Sequence, residues 1–140
     1  MKQNIVERKI MWGDLDAMGI VFYPRYYEWI DGCGHLFFEF LGLTMGTLQQ
    51  ERSIIFGLVE TSCRYFQPGR YHQSVNITTS ISALGKKTLT LKHNISNAAD
   101  DTLMVEGMEK RICMGISHLG QLRAIDIPAD VFAVMKNATL

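Results

Sequence analysis

"PRYYEWIDGCGHLFFEFLG", Pro24 to Gly42, is the stretch on which the reading of the fold turns. Proline lacks an amide proton and has its φ fixed near the helical value, so Pro24 suits the first position of a helix. Tyr26, Ile30, Cys33, Phe37 and Leu41 follow at steps of four, three, four and four, which is one face of an α-helix. Gly42 suits the C-terminal cap. Gly32 and Gly34 each cost about 1 kcal/mol relative to alanine inside a helix, so another backbone is expected to approach closely there.

Downstream the period changes from 3.6 to two. After a short helical or irregular piece around Thr44 to Glu51, Ile54 to Phe66 reads as one or two strands ended by the Gln67-Pro68-Gly69 turn. Val75, Ile77, Thr79, Ile81 and Ala83 alternate with polar residues, and Gly85 and Lys86 reverse the chain. Leu89, Leu91, His93 and Ile95 alternate again. The turn Asn97 to Asp101 leads into a long strand from Leu103 to Ile116, then His118 to Gly120 turns before Leu122 to Ile125, and Pro128 opens a short helix. Upstream, Ile5 to Trp12 is strand-compatible and Gly13 to Gly19 is turn-rich. This order describes one α+β domain over residues 1–140, with a long helix against one face of a curved antiparallel sheet. The sheet edges and the apolar helix need cover, so a homodimer that extends the sheet is expected.

Composition excludes several classes. Fourteen Lys and Arg balance fourteen Asp and Glu, which leaves no global electrostatic case for nucleic acid or an anionic membrane. No stretch approaches the ~18 apolar residues of a membrane span, and Met1 to Arg8 lacks a signal-peptide run, so a cytoplasmic protein is expected. Cys33, Cys63 and Cys113 are odd in number and far apart, which fits free thiols in a reducing compartment. His35, His72, His93 and His118 do not stand at metal-ligand spacing and read as surface or strand residues. "GISHLG", Gly115 to Gly120, is not a nucleophile elbow, because its second glycine comes one place late and no helix follows. No dinucleotide or Walker loop is present, so neither a nucleotide cofactor nor a metal is called for.

The acidic pair Asp14 and Asp16 precedes the helix. Acidic residues there often stabilise a turn or the positive helix end. The alternative is catalytic: unpaired amides at a helix start can polarise a carbonyl oxygen, and a nearby carboxylate can attack that carbonyl or activate water. Spacing alone leaves both readings open.

The residues of "WGDLDAMGIVFYPRYYEWID", Trp12 to Asp31, resemble the signature G-D-x-D-x-x-G-I-V-[FWY]-Y-P-x-Y of the 4-hydroxybenzoyl-CoA thioesterase family of hotdog-fold proteins. "LRAIDIPAD", Leu122 to Asp130, is similar to that family's C-terminal segment, so the likeness spans essentially the whole chain. The resemblance implies a hotdog fold, a central helix wrapped by an antiparallel sheet, paired into a homodimer and commonly a homotetramer, with active sites at the dimer interface. It implies acyl-CoA thioester hydrolysis with Asp16 as nucleophile or general base and the Tyr23 backbone amide as oxyanion donor. Lys86, Lys87 and Arg123 match residues that bind the nucleotide end of coenzyme A, although Thr88 stands where the family branch has a further basic residue. Asp31 matches an aspartate that hydrogen-bonds a ring hydroxyl, whereas Gly46 replaces a tryptophan that assists it. Residues around Gly57 are expected to contribute backbone contacts to the neighbouring subunit's site.

Tyr26, Trp29, Phe37 and Phe38 fit either the core or an aromatic pocket, and Glu60 either a buried rival catalyst or a solvent-facing partner of Arg64. Two other functions stay in view: hydrolysis of chains carried by acyl carrier protein, and noncatalytic acyl-CoA binding. A histidine-dependent dehydratase fits less well, since no histidine lies in the opening motif.

Overall fold

The computed structural model describes residues Met1 to Leu140. Its elements are β1 (Asn4–Lys9), α1 (Pro24–Phe40), α2 (Met45–Arg52), β2 (Ile54–Tyr65), β3 (Ser74–Leu84), β4 (Thr88–Asn97), β5 (Leu103–Ile116), β6 (Leu122–Ala124) and α3 (Ala129–Ala138). The strands form one six-stranded antiparallel sheet in the order β1-β3-β4-β5-β2, with β6 pairing on the end of β5. The sheet curves around α1 without closing into a barrel, which is the hotdog fold.

Pro24 opens α1 and Gly42, at φ +78°, follows its end. The face from Tyr26 through Ile30 and Cys33 to Phe37 and Phe38 is buried. Sequestering Phe37 and Phe38 from water contributes about 1.5–3 kcal/mol each. Tyr26, Trp29, Phe37 and Phe38 are therefore core residues, with Tyr26 also reaching a cavity described below.

The expectation of a close backbone at the helical glycines is corrected. A methyl group at Gly34 would stand 2.7 Å from Glu109 Oε1 and 3.3 Å from Arg111 Nη2, so side chains of β5, not backbone, require the gap. Gly32 has nothing within 4 Å of such a group. The first strand is also shorter than expected: it ends at Lys9, and Trp12–Asp14 forms a single 3-10 turn. The alternation of β3 breaks at a register shift between Ile81 and Ala83, which turns Ala83 to solvent.

The core consists of two apolar clusters. One contains Trp29, Ile30, Cys33, Val75, Ile77, Ile95 and Val105; the other contains Phe37, Phe38, Phe56, Ile81, Leu89, Leu91, Cys113 and Met135. Between them the sheet contributes a buried polar layer of Thr79, His93, Glu109 and Arg111.

Candidate active site

The two acidic residues upstream of α1 have different surroundings. Asp14 is 7% exposed, accepts the Met11 amide at 2.9 Å and pairs with Arg8 at 3.3 Å. It is a turn residue. Asp16 is half-buried; its Oδ1 accepts the Met18 amide at 2.8 Å and its Oδ2 has no hydrogen-bond partner. The Asp16 amide donates to the Ile20 carbonyl, and the Gly19 amide returns to the Asp16 carbonyl. Gly19 makes that reversal at φ +76°, a left-handed conformation that side chains disfavour.

Backbone bonds then fasten this loop to the start of α1 and to the β2–β3 connection. Phe22 donates to the Asp14 carbonyl at 2.8 Å, Val21 donates to the Gly69 carbonyl at 2.9 Å, and Ile20 bridges Arg70. Gly69 is enclosed: a methyl group there would meet Val21, Ile10 and the Tyr26 hydroxyl at 2.8–2.9 Å. Its amide donates to that same hydroxyl at 3.1 Å. The Gln67-Pro68-Gly69 pattern indicates only a turn, because the contacts that enclose Gly69 come from residues far away in the chain.

Tyr23 precedes Pro24, and its amide makes no hydrogen bond within the chain. Four helical amides lack intrahelical partners at any N-terminus, and the proline removes one of them here. Asp16 and Tyr23 line one cavity of about 320 Å³ with Met18, Ile20, Tyr26 and Tyr65 among its walls. The walls are largely apolar, and burial pushes the Tyr65 and Tyr26 phenols above their ordinary range. Asp16, with a carboxylate oxygen that has no partner, and Tyr23, with an amide that has none, thus line one largely apolar cavity at the positive end of a helix, where developing negative charge is stabilised.

Lys86, Lys87 and Arg123 come together at another part of the molecule. The Lys87 carbonyl accepts the Cys113 amide, the Cys113 carbonyl accepts that of Ile125, and Arg123 lies opposite Gly115. Lys87 and Lys86 both face Asp126, at 2.9 and 3.6 Å. Arg123 lines a groove of about 790 Å³ with Arg52, Ser53 and Ser117. This basic end lies beyond the last residue of β3, whereas the Asp16 loop adjoins the connection before its first; eleven strand residues separate them by roughly 35 Å.

Asp31 lies on α1 with Oδ1 2.8 Å from Arg111 Nη2, and Gly57 lies on β2 against the Met114 side chain. Arg111 also donates to the carbonyl of Phe56, the residue before Gly57, so one guanidinium joins both positions. Glu60 faces solvent on β2 and forms no ion pair with Arg64. His93, one of the four histidines expected at the surface or on a strand, lies on β4 and is fully buried between Thr79 and Glu109. The signal was its place in the apolar phase of β4, beside Leu91 and Ile95.

A family model described as the thioesterase-like superfamily matches residues 10–135. The chain belongs to the thioesterase-like superfamily. Its chemistry is that of a thioester hydrolase. It is 28% identical over 130 residues to the 4-hydroxybenzoyl-CoA thioesterase of Pseudomonas sp. (strain CBS-3), covering 89% of this chain and 92% of that one. Among solved structures, a gentisyl-coenzyme A thioesterase is 32% identical with a TM-score of 0.80, covering 96% of this superfamily member and all of the other. A mutant 4-hydroxybenzoyl-CoA thioesterase complexed with 4-hydroxybenzoyl-CoA is 26% identical with a TM-score of 0.88, covering 96% and 99%. No helix of this thioesterase is long and apolar enough to cross a membrane.

Proposed function

We propose that the protein hydrolyses hydroxyaryl-CoA thioesters to the free acid and coenzyme A, as one catalytic domain over residues 1–140 acting in the cytoplasm. The observation that carries this reading is that Tyr23, whose amide is unbonded, lines the same apolar cavity as Asp16, whose Oδ2 is free. The thioester carbonyl accepts from Tyr23 N–H, and the start of α1 stabilises the oxyanion. Asp16 attacks the carbonyl carbon and the C–S bond breaks, releasing CoA thiolate and leaving an acyl-aspartyl anhydride that water cleaves. Alternatively, Asp16 takes a proton from the water that attacks. Both routes give the same products.

Asp31, and the aryl-CoA thioesters named for the relatives, support a hydroxyaryl acyl group. Asp31 and Gly57 reach it from a second copy of the chain. The outer edge of β2 is unpaired, with Leu58 and Val59 exposed along it. Two such strands paired antiparallel about their middles set the Ile54–Gly57 end of one against the Ser62–Tyr65 end of the other. That arrangement brings Asp31 and Gly57 of one copy beside Asp16 and Tyr23 of its mate. The roughly 35 Å between Asp16 and the basic end of the same chain supports a further exchange. Lys86, Lys87 and Arg123 grip the coenzyme A phosphates at another copy's site, within a homotetramer.

Thiol release from 4-hydroxybenzoyl-, benzoyl-, phenylacetyl- and short aliphatic CoA esters, and from carrier-protein-linked acyl groups, tests the proposal. The expected result is the highest kcat/KM on the hydroxyaryl CoA ester. Faster turnover of the carrier-linked ester, or none with folded protein on any CoA ester, overturns it.

A further inference from the structure

The polar layer between the two apolar clusters is a continuous chain of hydrogen bonds. Thr79 Oγ1 is 2.8 Å from His93 Nδ1, and His93 Nε2 is 2.9 Å from Glu109 Oε1. Glu109 Oε2 accepts from Arg111 Nη2 at 2.9 Å, and the same nitrogen donates to Asp31 Oδ1 at 2.8 Å. Arg111 Nη1 donates to the Phe56 carbonyl at 3.3 Å. His93, Glu109 and Arg111 are 0%, 1% and 3% exposed, whereas the Asp31 side chain is 50% exposed.

The chemistry of each group gives the chain a direction. An ionised carboxylate only accepts, so His93 carries its proton on Nε2 toward Glu109, and Nδ1 accepts from the Thr79 hydroxyl. The charges of Glu109 and Arg111 cancel. Asp31 is left as the layer's outermost carboxylate, at its half-exposed end, with Oδ1 committed to Arg111 and 3.7 Å from His35 Nε2, and Oδ2 without a partner.

Stability alone is a poor reason for this layer. A buried ion pair is often no better than apolar residues of equal volume, and apolar clusters lie on both sides. Gly34 adds to the cost, because α1 forgoes a side chain there to leave room for Glu109 and Arg111. What the layer supplies is a guanidinium held at both terminal nitrogens, Nη2 by Glu109 and Asp31 and Nη1 by the Phe56 carbonyl.

We propose that Arg111 is a positioning residue: it aims the free oxygen of Asp31, and so sets the preference for acyl groups whose far end carries a hydroxyl donor. The inference rests on the reading of Asp31 as a contact to the acyl group. A hydroxyl hydrogen satisfies Oδ2 and its charge, whereas an unsubstituted ring leaves that oxygen desolvated and unpaired. Because the guanidinium also holds the Phe56 carbonyl, Asp31 keeps a fixed spacing from the strand carrying Gly57.

The test is kcat/KM for 4-hydroxybenzoyl-CoA and benzoyl-CoA in wild type, Asp31→Asn, Arg111→Lys, the double variant and Gly34→Ala. Lysine keeps the charge but loses the planar fork. Gly34→Ala presses on Glu109 and Arg111 from the helix side, and so remains informative if Arg111→Lys fails to fold. Arg111→Lys and Gly34→Ala are expected to lower the hydroxybenzoyl-over-benzoyl ratio about tenfold, mainly through KM, with benzoyl-CoA turnover nearly unchanged. The double variant should be no worse than Asp31→Asn, since both changes act on one contact. Equal losses on both esters from either folded variant, or additive losses in the double variant, overturn the positioning role while leaving Asp31 in place. If Asp31→Asn itself leaves the ratio unchanged, the acyl-contact reading fails and the positioning role fails with it.

Discussion

The Phe22 amide donates to the Asp14 carbonyl at 2.8 Å, closing the loop that carries Asp16 onto the first turn of α1. Asp14 is held inside this closure and Asp16 is left on its rim, so two aspartates separated by one residue should respond differently to substitution. Asp16→Asn is expected to lower kcat about 100-fold or more, roughly 2.7 kcal/mol of transition-state stabilisation, with the melting temperature little changed. Asp14→Ala should instead lose about 1–3 kcal/mol of stability, because the Met11 amide and Arg8 lose their partner. Steady-state thiol release and urea unfolding of both variants separate the two roles.

Gly69 is wedged between Val21, Ile10 and the Tyr26 hydroxyl. Gly69→Ala should cost about 1–3 kcal/mol through overpacking and should lower activity as well, because the displaced Val21 and Tyr26 line the cavity. Chemical denaturation combined with kinetics checks both.

Two surface carboxylates tie the C-terminal segment to the rest of the chain. The hydrogen bond from Lys87 holds Asp126 below its ordinary value of 3.8, and Arg52 does the same for Asp130. A carboxylate whose pKa is lower folded than unfolded stabilises fully above the unfolded value and loses that contribution as pH falls through the folded one. Stability from these contacts should be flat above ~pH 5 and decline below ~pH 4. Asp126→Asn and Asp130→Asn should each flatten that acid limb in thermal melts, and both contacts should weaken with added salt.

Burial pushes the Cys33 thiol up to about 11, and the Cys63 and Cys113 thiols are also raised. At pH 7.5 the native protein should react slowly with iodoacetamide, with Cys63, the least buried, modified first. Mass spectrometry of native and urea-unfolded samples reads this directly; rapid native labelling of Cys33 would contradict it.

The long helix and the hairpins were legible because each repeats one local period, and the motif around Asp16 was legible because its residues are contiguous. The polar layer was not. Glu109 and Arg111 share the inner phase of β5, and His93 that of β4, but only the register His93 opposite Gly107 sets the imidazole diagonally against Glu109. Gly34 signals a close approach but not its source for the same reason, since its neighbours are side chains from a strand some seventy positions further along. The basic cluster was partly readable: residue types matched, but the Asp126 contacts to Lys86 and Lys87 depend on how the chain folds back after β6.

The Asp16 loop leans on the β2–β3 connection through the Val21–Gly69 hydrogen bond and the Ile20–Arg70 bridge. Neither segment can swing away without breaking backbone bonds to the other, so neither can serve as a hinged cover for the cavity that Asp16 and Tyr23 line. The Val21 and Phe22 amides, hydrogen-bonded to the Gly69 and Asp14 carbonyls, should exchange with solvent deuterium as slowly as those of the sheet beneath them. If this cavity is the reaction site, turnover is expected to wait on chemistry or on departure of the products, not on the opening of a door.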